Sequence, residues 1–268
     1  MRLPRKVTKR HWARLWQKSW PKLLAIGMVL AVWEVIYQLQ LRPAYVFPGP
    51  EKVLAELVSR LQTADFWSAV ATTMSRAGIG FAIALAIGSL LGVAVARVRP
   101  LRLAIGSLIT GLQTMPSIAW FPFAILLFGL GEQAITFVVV LGAAPAIANG
   151  VIAGVDTVPP AYFRLGQMLQ ATGWKLYRFI VLPAMLPAYL AGLTQGWAFA
   201  WRSLMAGELL VIIAERPSLG AQLEFARQFA KAPMLLATMI FILVIGMVVD
   251  GGLSALSRRI RAARGLTA

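Results

Sequence analysis

Four charged side chains stand inside long apolar runs: Glu34, Arg202, Glu208 and Asp250. An ionisable group in apolar sequence of membrane-spanning length is costly, so it marks either function or a compensating partner. Arg202 lies mid-run beside Trp201, and a guanidinium fork suits a planar or tetrahedral oxyanion. Two readings stand side by side. Arg202 draws a small anion, or it pairs with Glu208, Glu34 or Asp250 and holds helices together. Arg202 and Glu208 are six apart, about 240° around a straight helix, which makes direct pairing awkward. Glu34 and Asp250 lie toward the ends of their runs, where an interfacial structural role is the simpler reading. The uncharged polar residues Gln113 and Asn149 either line a polar path or bond across helices.

Other chemistry is poorly supplied. The chain has no cysteine and one histidine, His11, in a basic segment. That excludes disulfides, thiolate metal sites and a cysteine nucleophile, and argues against structural zinc. No Gly-x-x-x-x-Gly-Lys-Ser/Thr run occurs, so a phosphate-binding loop for ATP hydrolysis is not expected on this chain. No pair of carboxylates shares a helical face within an apolar run, which leaves an embedded acid–base or metal-carboxylate enzyme without support.

The elements that must position these residues follow from composition. Of 268 residues 59% are hydrophobic and 13% charged, against about 25% charged in a typical soluble domain. A single soluble core cannot hide that much apolar surface. A helix crossing about 30 Å of hydrocarbon takes roughly 20 mostly apolar residues. Six such spans are predicted: Leu23–Leu41, Ala77–Val98, Leu101–Leu130 broken by Pro116 and Pro122, Ala134–Val155, Ile180–Ile213 and Met234–Leu256. Breaks are also expected at Pro183 and Pro187.

The net charge of +16 is explained by its placement. Basic residues crowd residues 1–22, lie between spans two and three (Arg97, Arg99, Arg102) and between spans four and five (Arg164, Lys175, Arg178), and follow span six (Arg258, Arg259, Arg261, Arg264). All of these share a side if both termini do, and the positive-inside rule makes that side cytoplasmic. The charge is therefore topology and lipid anchoring, not a nucleic-acid footprint. Trp12, Trp16 and Trp20 recur every four residues beside the basic segment, as an interfacial helix requires. The first apolar stretch is too long for a signal-peptide core and no small-residue cleavage site closes it, so it is expected to be retained as a span. The fold class is thus all-α: a polytopic membrane helix bundle with six spans and cytoplasmic termini. It is organised as a basic interfacial segment (1–22), a membrane domain (23–257) and a basic tail (258–268).

Two finer features concern packing. After the Pro48-Gly49-Pro50 turn, Val53, Leu54, Leu57, Val58 and Leu61 share one helical face. This predicts a short amphipathic helix lying on the outer leaflet or on the bundle. Small residues recur every four positions at Gly80, Ala84, Gly88, Gly92 and Ala96, and again at Gly142, Ala146, Gly150 and Gly154. Such rows let helix backbones approach closely, within one chain or across a dimer seam.

Between spans four and five runs a loop, about 157–179, with helical character. Pro159 and Pro160 can start a helix and Gly173 can end one. Tyr162, Leu165, Met168 and Leu169 offer it an apolar face, which needs either the bundle or another protein to cover it. This loop resembles the cytoplasmic coupling loop of binding-protein-dependent ABC importer permeases. Ile180-Val181-Leu182-Pro183 matches the family's Ile-x-Leu-Pro close, and Trp174 and Arg178 sit where similar residues are frequent. The family's Glu-Ala-Ala run stands here as Arg164, Leu165 and Gly166, and its central Gly as Gln170. The resemblance extends from about Trp33 to Leu256. Val46–Leu54, Thr114–Glu132 and Ala198–Glu208 are similar to the nitrate, sulfonate and taurine branch.

The resemblance implies a membrane-spanning permease subunit in a bacterial inner membrane, importing a small oxyanion such as an aliphatic sulfonate, taurine or nitrate. It implies a second permease copy as a homodimer, two ATPase subunits that carry ATP and Mg, and an extracytoplasmic solute-binding protein. No cofactor, metal or catalytic residue is expected on this chain. The solute path is expected to involve Arg202, Trp201, Glu208, Gln113 and Asn149. Coupling to the ATPase is expected at Arg164, Leu165, Gly166, Met168, Leu169, Gln170, Gly173, Trp174, Leu182 and Pro183. The rival is an ion-coupled secondary transporter or channel, which often shows an internal repeat; none is visible in the sequence.

Overall fold

In the computed structural model residues 8–171 and 173–263 are described, without the side chains of residues 8–19, 22 and 99. Arg2, Arg5, Lys6 and Arg264, and the side chains of His11, Trp12, Trp16, Arg99 and the basic residues 9–22, lie outside the described residues. Among those described, the regular elements are helices only. They fall into two units, one formed by the chain up to Gln62 with Ala226–Ala237, the other by Thr63–Phe225 with Thr238 onward.

The first unit contains α1 (Thr8–Gln38) and α2 (Pro50–Leu61). Pro50 takes the first turn of α2, where a missing N–H costs nothing. Glu51 in the first turn and Arg60 in the last suit the helix dipole. The turn before α2 is fixed to α1: the Trp33 indole donates to the Pro48 carbonyl at 3.1 Å. Gly49 lies so near Tyr37 that an added Cβ would come within 2.9 Å of the ring. Of the apolar face expected on α2, Val53 is buried while Leu54, Val58 and Leu61 stay open.

The second unit is built around α3 (Ala64–Arg97), α6 (Glu132–Asp156) and α9 (Leu182–Leu210). Between α3 and α6 run α4 (Arg99–Thr114), a 3₁₀ turn (Ser117–Trp120) and α5 (Phe121–Phe128). Between α6 and α9 run α7 (Pro160–Met168), α8 (Gly173–Leu176) and a π-helical turn (Tyr177–Val181). Then follow α10 (Leu219–Gln228) and α11 (Ala232–Ala263). Arg76, about a third of the way along α3, bonds both Glu132 at the start of α6 and Glu208 near the end of α9, and farther along Gly92 of α3 meets Ala148 of α6 while Gly150 of α6 meets Gly192 of α9. Hence α3 and α6 run in one direction and α9 returns between the same two ends. At the opposite end Arg97 lies over the Tyr177 ring, 3.9 Å from its centre, and Arg102 pairs with Asp156.

The rows of small residues explain why α6 sits at the centre. A Cβ on Gly92 of α3 would lie 2.8 Å from the Ala148 carbonyl oxygen of α6. On its other side, a Cβ on Gly150 would lie 2.7 Å from the Cα of Gly192 on α9. The rows therefore pack helices within the chain. Around these crossings Ile135, Val138, Val139, Ile147 and Leu204 are sealed.

Among the described residues four helices are long and apolar enough to span a membrane: α3, α6, the continuous helix Gly173–Leu210 and α11. A fifth span is available if the bent pair Pro100–Thr114 and Ser117–Phe128, whose halves meet at 104°, counts as one. The apolar part of α1, Leu23–Gln38, is shorter. Several expected boundaries are corrected. The third span breaks at Met115–Pro116 alone, because Pro122 stands in the first turn of α5, where proline fits. Pro183 and Pro187 do not break the fifth helix. Tyr177–Val181 opens into a π turn just before Pro183, and such single-turn bulges accommodate irregular hydrogen bonding without ending a helix. The helix carrying the second span begins at Ala64, well before Ala77, since Thr72, Thr73, Ser75 and Arg76 lower the hydropathy without disfavouring helix strongly.

Candidate functional site

At the end of the bundle where α6 begins and α9 ends, Glu208 is fully buried. One carboxylate oxygen accepts from Arg76 Nη1 at 3.0 Å. The other accepts from Thr73 Oγ1 at 2.9 Å and the Gly220 N–H at 3.1 Å. Arg76 also forks onto Glu132, at 2.8 and 2.7 Å, and Arg216 stands 3.5 Å from the same carboxylate. A carboxylate this deep is tolerable only when it is paired and hydrogen-bonded, and here both oxygens find donors. Glu208 thus joins α3, α9 and the start of α10. Arg76, the residue that satisfies it, had not stood out in the sequence because it lies just ahead of the apolar run taken as the second span.

The commitment of Glu208 leaves Arg202 without it. Arg202 Nε donates to the Ala198 carbonyl one turn earlier at 3.1 Å, and the guanidinium lies 5.1 Å from the Phe199 ring centre. Among the described residues no carboxylate comes within 4.0 Å of it. Arg202 and Gln113 line one cavity of about 330 Å³, with Met115, Ser117, Trp120 and Phe199 among its walls. The break after Thr114 ends α4 here and turns Gln113 and Ser117 toward the same space as α9. The amide nitrogen of Gln113 is buried with no hydrogen-bond partner among the described residues, and buried donors of this kind call for an explanation such as a bound water or ion.

The other residues expected beside Arg202 lie elsewhere. Trp201 stacks on Trp197, ring centres 6.1 Å apart, and its indole crowds Gly246 of α11. Asn149 is half-buried on α6 and, like Trp201 and Glu208, is not in the wall of that cavity.

At the opposite end, Pro160 starts α7 as expected. The helix closes at Met168 rather than at Gly173, since the left-handed residue is Gln170, at φ 51°. The Ala171 N–H reaches the Gly166 carbonyl at 2.8 Å and the Gln170 N–H reaches Gln167 at 3.0 Å, the paired closure of a Schellman motif. Gly173, at φ 55°, opens α8 instead. Gly166 is buried against Leu176 and Ile180, and Val181 packs with Val151, Val158 and Met185. Pro183 is half-buried. The outer face carries exposed Arg164, Leu165, Leu169 and Leu182, with Met168 82% and Trp174 74% exposed. Glycine takes the left-handed conformation without the Cβ penalty that glutamine bears. Gln170→Gly is therefore expected to stabilise this loop by about 1 kcal/mol, read as slower amide exchange over residues 160–171.

The family model described as binding-protein-dependent transport system inner membrane component matches residues 84–262. The chain belongs to this family. The match runs from mid-α3 to the end of α11 and takes in both Arg202 and the α7 loop. Similar relatives include the taurine transport system permease protein TauC of Escherichia coli (strain K12), 29% identical with 94% of each chain covered. They also include the riboflavin transport system permease protein RibX of Chloroflexus aurantiacus, 30% identical with 89% of this chain and 90% of that one covered. A solved bacterial alginate ABC transporter in complex with an alginate-pentasaccharide-bound periplasmic protein contains a chain of the same fold. It aligns at a TM-score of 0.62 and 17% identity, over 92% of this chain and 98% of that one. As a member, this chain is the inner-membrane permease subunit of an ABC importer.

Proposed function

We propose that this permease passes a small oxyanion, of the sulfonate, taurine or nitrate kind, along the face of α9 that carries Arg202. The observation that carries the reading is a guanidinium with no carboxylate partner among the described residues, lining a cavity with the unpartnered amide of Gln113. Both are donors, and an oxyanion is acceptor only. The relatives span taurine and riboflavin, so family membership does not select a solute; the Arg202 cavity supports the anion.

In this reading α1 and the bent pair complete six spans, with both termini and the α7 loop cytoplasmic. Two copies form the path. Two ATPase subunits dock on the outward face of Arg164, Leu165, Met168, Leu169 and Trp174. Gly166, Gln170, Gly173, Leu182 and Pro183 set the shape of that loop. A solute-binding protein delivers from the other side. Exposed apolar side chains on a loop supported from behind suit such a docking face.

The test is uptake of radiolabelled taurine into vesicles holding the permease, its ATPase and its binding protein. A charged hydrogen-bond donor contributes roughly 1.5–3 kcal/mol, so Arg202→Gln is expected to slow ATP-driven uptake by about tenfold or more, with Arg202→Lys between. Unchanged uptake in Arg202→Gln would remove the anion site.

A further inference from the structure

We infer that a second oxyanion site lies farther along the same face of α9, in the cleft against α11. Ala191, Gln195, Ala198, Arg202 and Ala206 follow one another at helical spacings of three or four and form a single stripe. The last two line the cavity with Gln113, and the first three line a separate cavity of about 500 Å³. From Arg202 to Gln195 is about 10 Å along the axis.

The opposite wall of that second cavity comes from α11: Ser254, Ser257, Arg258 and Arg261. Arg261 is anchored by one donor, Nη2, on the Pro187 carbonyl at 3.3 Å, while its Nε is buried with no partner among the described residues. Arg258 is exposed and forms no ion pair among the described residues. Asp250 lines the far end of the cavity, about 12 Å along α11 from Arg258, so the end between the two arginines stays positive. Two guanidinia, two serine hydroxyls and a carboxamide are the donor set for a tetrahedral oxyanion. That chemistry fits a transported sulfonate released from Arg202, and equally the phosphate of an anionic lipid. The inference places a station beyond Arg202 and so rests on the reading of that residue.

The experiment uses the permease–ATPase complex in nanodiscs, at constant ionic strength. It measures the thermal midpoint against inorganic sulfate and methanesulfonate, and phosphatidylglycerol retention by mass spectrometry. Arg202→Gln is expected to leave part of the anion-dependent shift. Arg258→Gln with Arg261→Gln is expected to raise the half-saturating sulfate by about tenfold or more, and all three together to abolish the shift. If sulfate dependence is kept but phosphatidylglycerol retention is lost in the double variant, the occupant is a lipid phosphate. If only Arg202→Gln is without effect, the second site stands and the Arg202 reading fails. Arg258→Gln alone, which breaks no hydrogen bond or ion pair among the described residues, guards against misfolding as the cause. Wild-type behaviour of both Arg258→Gln and the double variant toward all three probes overturns the inference.

Discussion

Glu208→Leu is expected to leave little folded permease, with a loss of about 3–5 kcal/mol, the range for removing one partner of a buried ion pair. The carboxylate gathers Arg76, Thr73 and the Gly220 N–H. Its removal leaves three donors facing an apolar side chain. Arg76 keeps Glu132, so it is not wholly orphaned, but Thr73 would keep only the Leu219 N–H that it accepts at 3.0 Å. The start of α10 would lose its anionic cap, which also complements the helix dipole. Glu208→Gln preserves shape and one acceptor and should fall between. Arg76→Met combined with Glu208→Leu should recover part of the loss, because an apolar pair of similar volume avoids the desolvation that an unpaired charge incurs. The measurement is the fraction of monodisperse protein surviving a temperature ramp in detergent. If Glu208→Leu melts within about 1 kcal/mol of wild type, below that range, the cluster does not hold these helices.

The second large effect belongs to the crossing of α6 and α9. Gly150→Leu should prevent this crossing and abolish accumulation of folded protein. Even an alanine places its Cβ 2.7 Å from the Cα of Gly192, and the reverse substitution is as tight, 2.6 Å from the Cα of Gly150. The obstructing atoms are backbone, so no rotamer change relieves them. The helices must separate, and the packing of Gly154 on Met185 and of Gly196 on Ile147 separates with them. Overpacking of this kind costs about 1–3 kcal/mol for small additions, so Gly150→Ala should lower stability within that range. Gly78→Ala is the control: nothing lies within 4 Å of a Cβ there, and loss of a mid-helix glycine favours helix by up to about 1 kcal/mol. Equal stability of Gly150→Ala and Gly78→Ala would contradict the close approach.

How much of this was legible in the sequence depends on the range over which each signal acts. Apolar runs of spanning length are local sums, so the helices around residues 77–98, 134–155 and 234–256 could be placed without a partner. Small residues at four-residue spacing announced close packing, though not that Gly150 would meet Gly192. Pro160 marked the start of α7, because proline at a first turn is a local backbone effect. The end of α7 was misplaced, since a left-handed glutamine carries no sequence signal and the next glycine looked the better terminus.

The amino-acid sequence by itself determined that this protein is a helical membrane bundle, because hydropathy and charge bias are sums over neighbouring residues, and its likeness to importer permeases was legible in local runs such as Ile180–Pro183. The tertiary structure alone decided what the charges do. Two acidic residues and one arginine far apart in the chain, Glu132, Glu208 and Arg76, meet only when α3, α6 and α9 pack. That meeting takes Glu208 away from Arg202. It leaves Arg202, with no carboxylate partner among the described residues, to line a cavity with Gln113, because a buried charge goes to the partner that geometry supplies, whatever the spacing in sequence suggests.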